Sequence, residues 1–175
     1  MPEEKDKIIL EVDDIQFEEE AIKKKAIRVL SFCLSEENYC VDIRSAKEVA
    51  KINKITRVPN TPEFISGVIN LRGEVVSLCD IRYFLGLSSG GKSKEIRGII
   101  TDVTGSNIGF IVDKIRGAMD IDVDLIQPPL ATLSQKLALY TKGQVQIEGE
   151  IFIILDLERI LNCEEVVRLA KGEGI

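Results

Sequence analysis

The feature that most constrains the fold is an internal repeat. Overlaying residues 67–85 on 143–161, an offset of 76, matches Gly67 with Gly143, Gly73 with Gly149, Glu74 with Glu150, Asp80 with Asp156 and Leu85 with Leu161. Apolar positions correspond as well: Ile69 with Val145, Leu71 with Ile147, Val75 with Ile151. Earlier in each half Val41-Asp42 answers to Val112-Asp113 at a slightly different offset, and both halves pass through proline, at Pro59 and Pro62 and at Pro128-Pro129. A correlated run of glycines, an aspartate and apolar positions implies duplication of one small unit. Each half spans roughly 60 to 70 residues, too little to bury a comfortable core alone, so the two should share a hydrophobic seam with a long groove between them.

The local pattern of the repeat is β. Residues 27–34, 39–43, 68–71 and 75–79 are short apolar runs bounded by polar or glycine-containing turns, and Arg72-Gly73 reads as a tight turn in which glycine takes positive φ. Pro62-Glu63-Phe64-Ile65 suggests a first helical turn, Asp80 the N-cap of a turn of helix through Phe84, and residues 163–170 a C-terminal helix with apolar Val166, Val167, Leu169 and Ala170. Residues 1–25 form a charged extension that suits a short exposed helix or a tail, since Glu19 and Glu20 precede Lys23 and Lys24 by four. The glycine- and serine-containing stretch near 87–95 reads as a connector inside a 26–175 domain of two interleaved barrels, and the last five residues as a frayed end.

Composition excludes several function classes. The chain has no histidine, which removes the commonest general base and the commonest metal ligand. Its four cysteines, Cys33, Cys40, Cys79 and Cys163, form no C-x-x-C pair, and three lie in apolar runs, as buried thiols of a reducing cytosol do. Gly90-Gly91-Lys92-Ser93 lacks the spacing of a phosphate cradle, and Asp42, Lys47 and Glu48 have no spacing that enforces a shared catalytic site. Neither enzyme chemistry, metal nor cofactor is expected. A net charge of −6, with 5% aromatic residues, opposes nucleic-acid binding. No apolar run approaches the roughly 18 residues of a membrane span, so a cytoplasmic protein is expected.

The repeat also acts as an internal control. Gly67, Gly73, Gly149, Asp80 and Asp156 are shared between halves and read as structural turn and cap residues, whereas Arg72 has Glu148 as its counterpart and is not demanded by the hairpin. The segment Gly67-Val68-Ile69-Asn70-Leu71-Arg72-Gly73, with Tyr39-Cys40-Val41-Asp42-Ile43, Val58-Pro59-Asn60-Thr61-Pro62, Asp80-Ile81-Arg82 and the closing Leu157-Glu158-Arg159-Ile160-Leu161-Asn162, resembles the CheW coupling proteins of bacterial chemotaxis over about residues 27–169.

The resemblance implies an all-β fold of two pseudo-symmetric five-stranded SH3-like barrels, with short helices and a C-terminal helix. It implies a non-catalytic adaptor between the cytoplasmic tips of chemoreceptors and the regulatory domain of the histidine kinase CheA, membrane-associated only through the receptors. It implies a partner-binding surface containing Asn70, Leu71 and Arg72, with Glu48 facing the arginine across the groove. A paralogous regulator with another output is the nearest alternative. Cys40, where the family often has glycine, Ala46, where it has a bulkier aliphatic residue, and the long charged extension depart from the pattern and bear on which receptor class is served.

Overall fold

Four strand pairs close through two-residue turns, and three of those turns place both residues at positive φ: Arg72 (54°) with Gly73 (89°), Thr104 (51°) with Gly105 (85°), and Glu148 (50°) with Gly149 (83°). These are the mirror-image turns whose twist matches that of paired strands. In two of them a side chain satisfies the glycine amide: Gly73 N–H donates to Asn70 Oδ1 (2.9 Å) and Gly105 N–H to Asp102 Oδ1 (3.0 Å). Positive φ at arginine, threonine and glutamate alike is therefore a property of the hairpin.

The computed structural model describes residues 25–88 and 95–173. Its strands are β1 (Ala26–Leu34), β2 (Glu37–Asp42), β3 (Glu48–Ile52), β4 (Ile65–Leu71), β5 (Glu74–Asp80), β6 (Ile96–Val103), β7 (Ser106–Val112), β8 (Lys114–Asp122), β9 (Thr141–Ile147) and β10 (Glu150–Leu155). The short helices are α1 (Ile81–Leu85), α2 (Gln135–Leu139), α3 (Leu157–Leu161) and α4 (Glu164–Ala170). The strand readings hold within a few residues, as do the Asp80 cap and the C-terminal helix. The expected helical start at Pro62 is instead a turn, closed by Ile65 N–H to Pro62 C=O (3.0 Å), because Ile65 already pairs with Cys79 in the sheet. Most of the charged extension, the connector's residues 89–94 and the last two residues of the frayed end lie outside the described residues.

The strands form two five-stranded curled sheets, ordered β8-β1-β2-β10-β9 and β3-β6-β7-β5-β4. Each is a barrel, and neither is one repeat. The central barrel joins β3, β4 and β5 of the first repeat to β6 and β7 of the second; the flanking barrel joins β1 and β2 to β8, β9 and β10. The exchange is sealed by one parallel pairing in each, β5 with β7 and β2 with β10. Asp80 and Asp156 cap α1 and α3 by accepting from the backbone N–H of Arg82 and Arg159.

Three apolar clusters follow from this arrangement. The central barrel holds Ile52, Ile69, Val76, Leu78, Ile100 and Ile111, and the flanking barrel Val29, Cys40, Ile121, Val145, Phe152 and Ile154. The largest belongs to both: Phe32, Tyr39 and Leu155 meet Phe84, Leu85, Phe110 and Val112, covered by Val166 and Leu169 of α4. This is the shared seam.

Gly67 is not a turn residue. It lies within β4 beside a bulge, at φ 143°, where a Cβ would stand 2.4 Å from the Thr56 carbonyl oxygen of a crossing segment bridged to Val68. Gly143 repeats the close approach in the flanking barrel, 2.7 Å from the Gln127 carbonyl oxygen. Gly67→Ala should therefore cost about 3 kcal/mol or more, combining overpacking with strain. Gly73→Ala, whose Cβ would meet nothing within 4 Å, should cost about 1 kcal/mol from backbone strain alone. Urea unfolding of the two variants measures the difference, and equal losses would contradict the assignment of Gly67 to the backbone crossing.

Candidate functional site

In the central sheet β3 and β4 are the two edges, and the curl brings them together. Glu48 opens β3, Arg72 follows β4, and Arg72 Nη2 lies 3.0 Å from Glu48 Oε2. The expected partners do meet, but on one barrel: the pair joins the edges of a single sheet rather than facing across an inter-barrel groove. The glutamate side chain is 25% exposed and the arginine 80%, so the guanidinium is steered from one side and open to solvent on the other. Such a pair contributes at most about 1 kcal/mol to stability, and its planar fork of donors remains available for a carboxylate or carbonyl of another molecule.

The neighbouring candidates divide. Asn70 is exposed and commits its side-chain oxygen to the Gly73 amide, so its first role is shaping the turn that carries Arg72. Leu71 is half-buried and packs on the central barrel's cluster. Beside them Lys47 Nζ donates to Asn107 Oδ1 (2.9 Å), and Asn107 Nδ2 to Glu74 Oε2 (2.5 Å), along a polar cavity of about 450 Å³ that reaches Leu169 and Ala170 at the end of α4. Asp42, Lys47 and Glu48 turn to different partners: Arg44, Asn107 and Arg72. The Arg44 hydrogen bonds hold the Asp42 carboxyl below the usual carboxylate range.

The flanking barrel repeats the cross-barrel ion pair with reversed polarity. Arg116 of β8, its edge strand, reaches Glu150 Oε2 at the start of β10 (2.8 Å) and Asn38 Oδ1 of β2 (2.8 Å), with its guanidinium 5.3 Å from the Phe152 ring centroid. Sequence reading missed Arg116, because its partner is distant in the chain and the repeat pairs Glu150 with Glu74. The repeat did hold a signal for a second feature: the matched residues Val75 and Ile151 are exposed apolar side chains, 70% and 50% accessible, at the same position of each barrel.

All four cysteines are free thiols, with Cys40 and Cys79 fully buried. Burial pushes both thiols up to about 12, assisted at Cys79 by Cys163 and Asp80. Burial, together with a hydrogen bond to Glu37, also raises the Tyr39 hydroxyl. Among the described residues no group of three histidine, cysteine, aspartate or glutamate side chains could hold a metal ion, and no helix is long and apolar enough to cross a membrane.

Residues 28–165 match the family model described as the CheW-like domain. The chain is similar to the chemotaxis protein CheW of Thermotoga maritima, 33% identical over 138 residues that cover 78% of this chain and 89% of that protein. It is also similar to the CheW of Treponema pallidum, at 27% over 154 residues, 86% of this chain and 91% of that one. Its fold matches the crystal structure of the scaffolding protein TtCheW from Thermoanaerobacter tengcongensis with a TM-score of 0.67 and 33% identity, covering 82% and 93% of the two chains.

Two outcomes follow from the geometry. A double-mutant cycle of Arg72→Ala and Glu48→Ala, read by thermal melting, should give a coupling below about 1 kcal/mol; a larger value would make the pair part of the fold's stability. The raised thiols and tyrosine bind their protons more tightly folded than unfolded. Their contribution is complete below their ordinary values of 9.0 and 10.0 and is lost as pH rises above them, toward about 12 for the thiols. The melting temperature should therefore fall from about pH 9 upward, and Cys40→Ala should flatten that slope.

Proposed function

The chain belongs to the CheW-like family, and from that premise we propose that it is a chemotaxis adaptor that couples chemoreceptor cytoplasmic tips to the regulatory domain of the histidine kinase CheA. Membership over residues 28–165 carries the reading, and the Arg72–Glu48 pair supplies its chemistry. A guanidinium held on one side and open on the other is suited to orient an incoming helix, by charge and by bidentate hydrogen bonding. Nothing in this role requires a catalytic group, a cofactor or a metal.

Val75 and Ile151 support the second half of the proposal. An adaptor must contact two partners at once, and two equivalent apolar residues beside the hairpin turns of two barrels offer end-to-end docking to another barrel. In this reading the receptor tip engages the surface around Arg72, Glu48, Asn70 and Leu71, and the kinase regulatory domain engages the barrel ends. The membrane is reached only through the receptor.

The test is a pull-down and a coupled kinase assay with a chemoreceptor cytoplasmic fragment and the kinase regulatory domain. Arg72→Glu should fold normally and lose receptor-dependent kinase activation, because it sets a second acid against Glu48, while kinase-domain binding survives. Val75→Glu should do the reverse, keeping the receptor fragment and weakening the kinase domain. Wild-type activation by Arg72→Glu would remove Arg72 from the working surface.

A further inference from the structure

Among the described residues the chain passes between the barrels twice, and each passage begins with aspartate after valine: Val41-Asp42 between β2 and β3, Val112-Asp113 between β7 and β8. The two aspartates are held differently. Asp42 binds the side chain of Arg44, two residues on and 86% exposed. Asp113, the single residue between β7 and β8, binds across the molecule. Its Oδ2 accepts from Arg82 Nη2 of α1, attached to the central barrel (2.5 Å), and from the Ser35 N–H in the β1–β2 turn of the flanking barrel (2.6 Å). Its own N–H donates to the Cys33 carbonyl of β1 (3.1 Å). Arg82 is 4% exposed, and its Nη1 also approaches Asp80 Oδ1 (3.4 Å). One carboxylate oxygen thus grips both barrels.

We propose that Arg82 and Asp113 are positioning residues that lock the orientation of the two barrels, so that surfaces on different barrels act as one bipartite docking surface; this last step rests on the adaptor reading above. The seam cannot set that angle alone, because apolar burial is non-directional and rewards many similar packings. A charge-assisted hydrogen bond with a second donor on the same oxygen has one good geometry. The repeat supplies the control: Arg82 corresponds to Glu158 on α3, so a cap helix in this position does not require arginine. A buried ion pair also adds little stability over an apolar pair of similar volume, which leaves placement as what it contributes.

The decisive variant replaces the pair with apolar residues, Arg82→Met with Asp113→Leu, beside the near-isosteric Asp113→Asn. Residual dipolar couplings report the relative orientation of the barrels, and hydrogen exchange reports the Ser35 amide. The double variant should melt at or above the wild-type temperature, yet its barrels should no longer fit one common orientation. Ser35 exchange should quicken at least tenfold, and the ternary complex with receptor fragment and kinase domain should weaken at least tenfold. Asp113→Asn should shift couplings and exchange in the same direction and answers the question if the double variant does not fold. Wild-type couplings and Ser35 exchange in whichever variant folds would overturn the lock. A wild-type chain that binds no receptor fragment would instead overturn the adaptor reading and leave the orientation result standing.

Discussion

Everything in this molecule depends on the seam, the apolar cluster in which Phe32, Tyr39 and Leu155 of one barrel meet Phe84, Phe110 and Val112 of the other. Each barrel keeps a smaller cluster of its own, but the strands enclosing it come from both repeats. Strand exchange makes the two units inseparable: β1 finds its partner β8 only after most of the chain has been made, and β2 waits for β10. Such non-local pairing slows folding and makes it cooperative, because closure of long loops precedes the contacts that reward it. It also leaves no half of the chain able to bury its own core.

On this shared frame the two repeats carry opposite charges at two matched positions. The hairpin carries arginine at position 72 and glutamate at 148; the cap helix carries arginine at 82 and glutamate at 158. The cross-barrel ion pairs are correspondingly inverted, with an acid on edge strand β3 facing Arg72 and an arginine on edge strand β8 facing Glu150. Backbone geometry is indifferent to these exchanges, since the turns at 72–73 and 148–149 have nearly the same φ values. Charge at these positions is therefore free to diverge: Arg72 is held by Glu48 alone, whereas Arg116 is held by both Glu150 and Asn38. The seam holds the two differently charged barrels in one body.

Much of the fold was legible in order of motifs. Turn chemistry at Arg72-Gly73 and Glu148-Gly149, the aspartate caps, the alternating strands and the 76-residue offset all act over a few neighbouring residues, so they leave a local trace. The Pro62 turn was misread because a helical start and a tight turn begin with the same residues, and the choice was made by Ile65 pairing with Cys79. Gly67 was expected in a turn and lies instead within β4, because only the folded chain brings the Thr56 carbonyl against it.

The sequence by itself determined that the chain is a duplicated all-β unit with a shared apolar interface and no histidine chemistry, because periodicity, turn residues and composition are properties of neighbours and totals. Only the tertiary structure decided which strands share a barrel, that Arg72 and Glu48 close one sheet rather than span a groove, and that Arg82 lies against Asp113. Those outcomes depend on contacts between residues tens of positions apart, where the energy comes from geometry created by the whole fold and no local pattern records the partner.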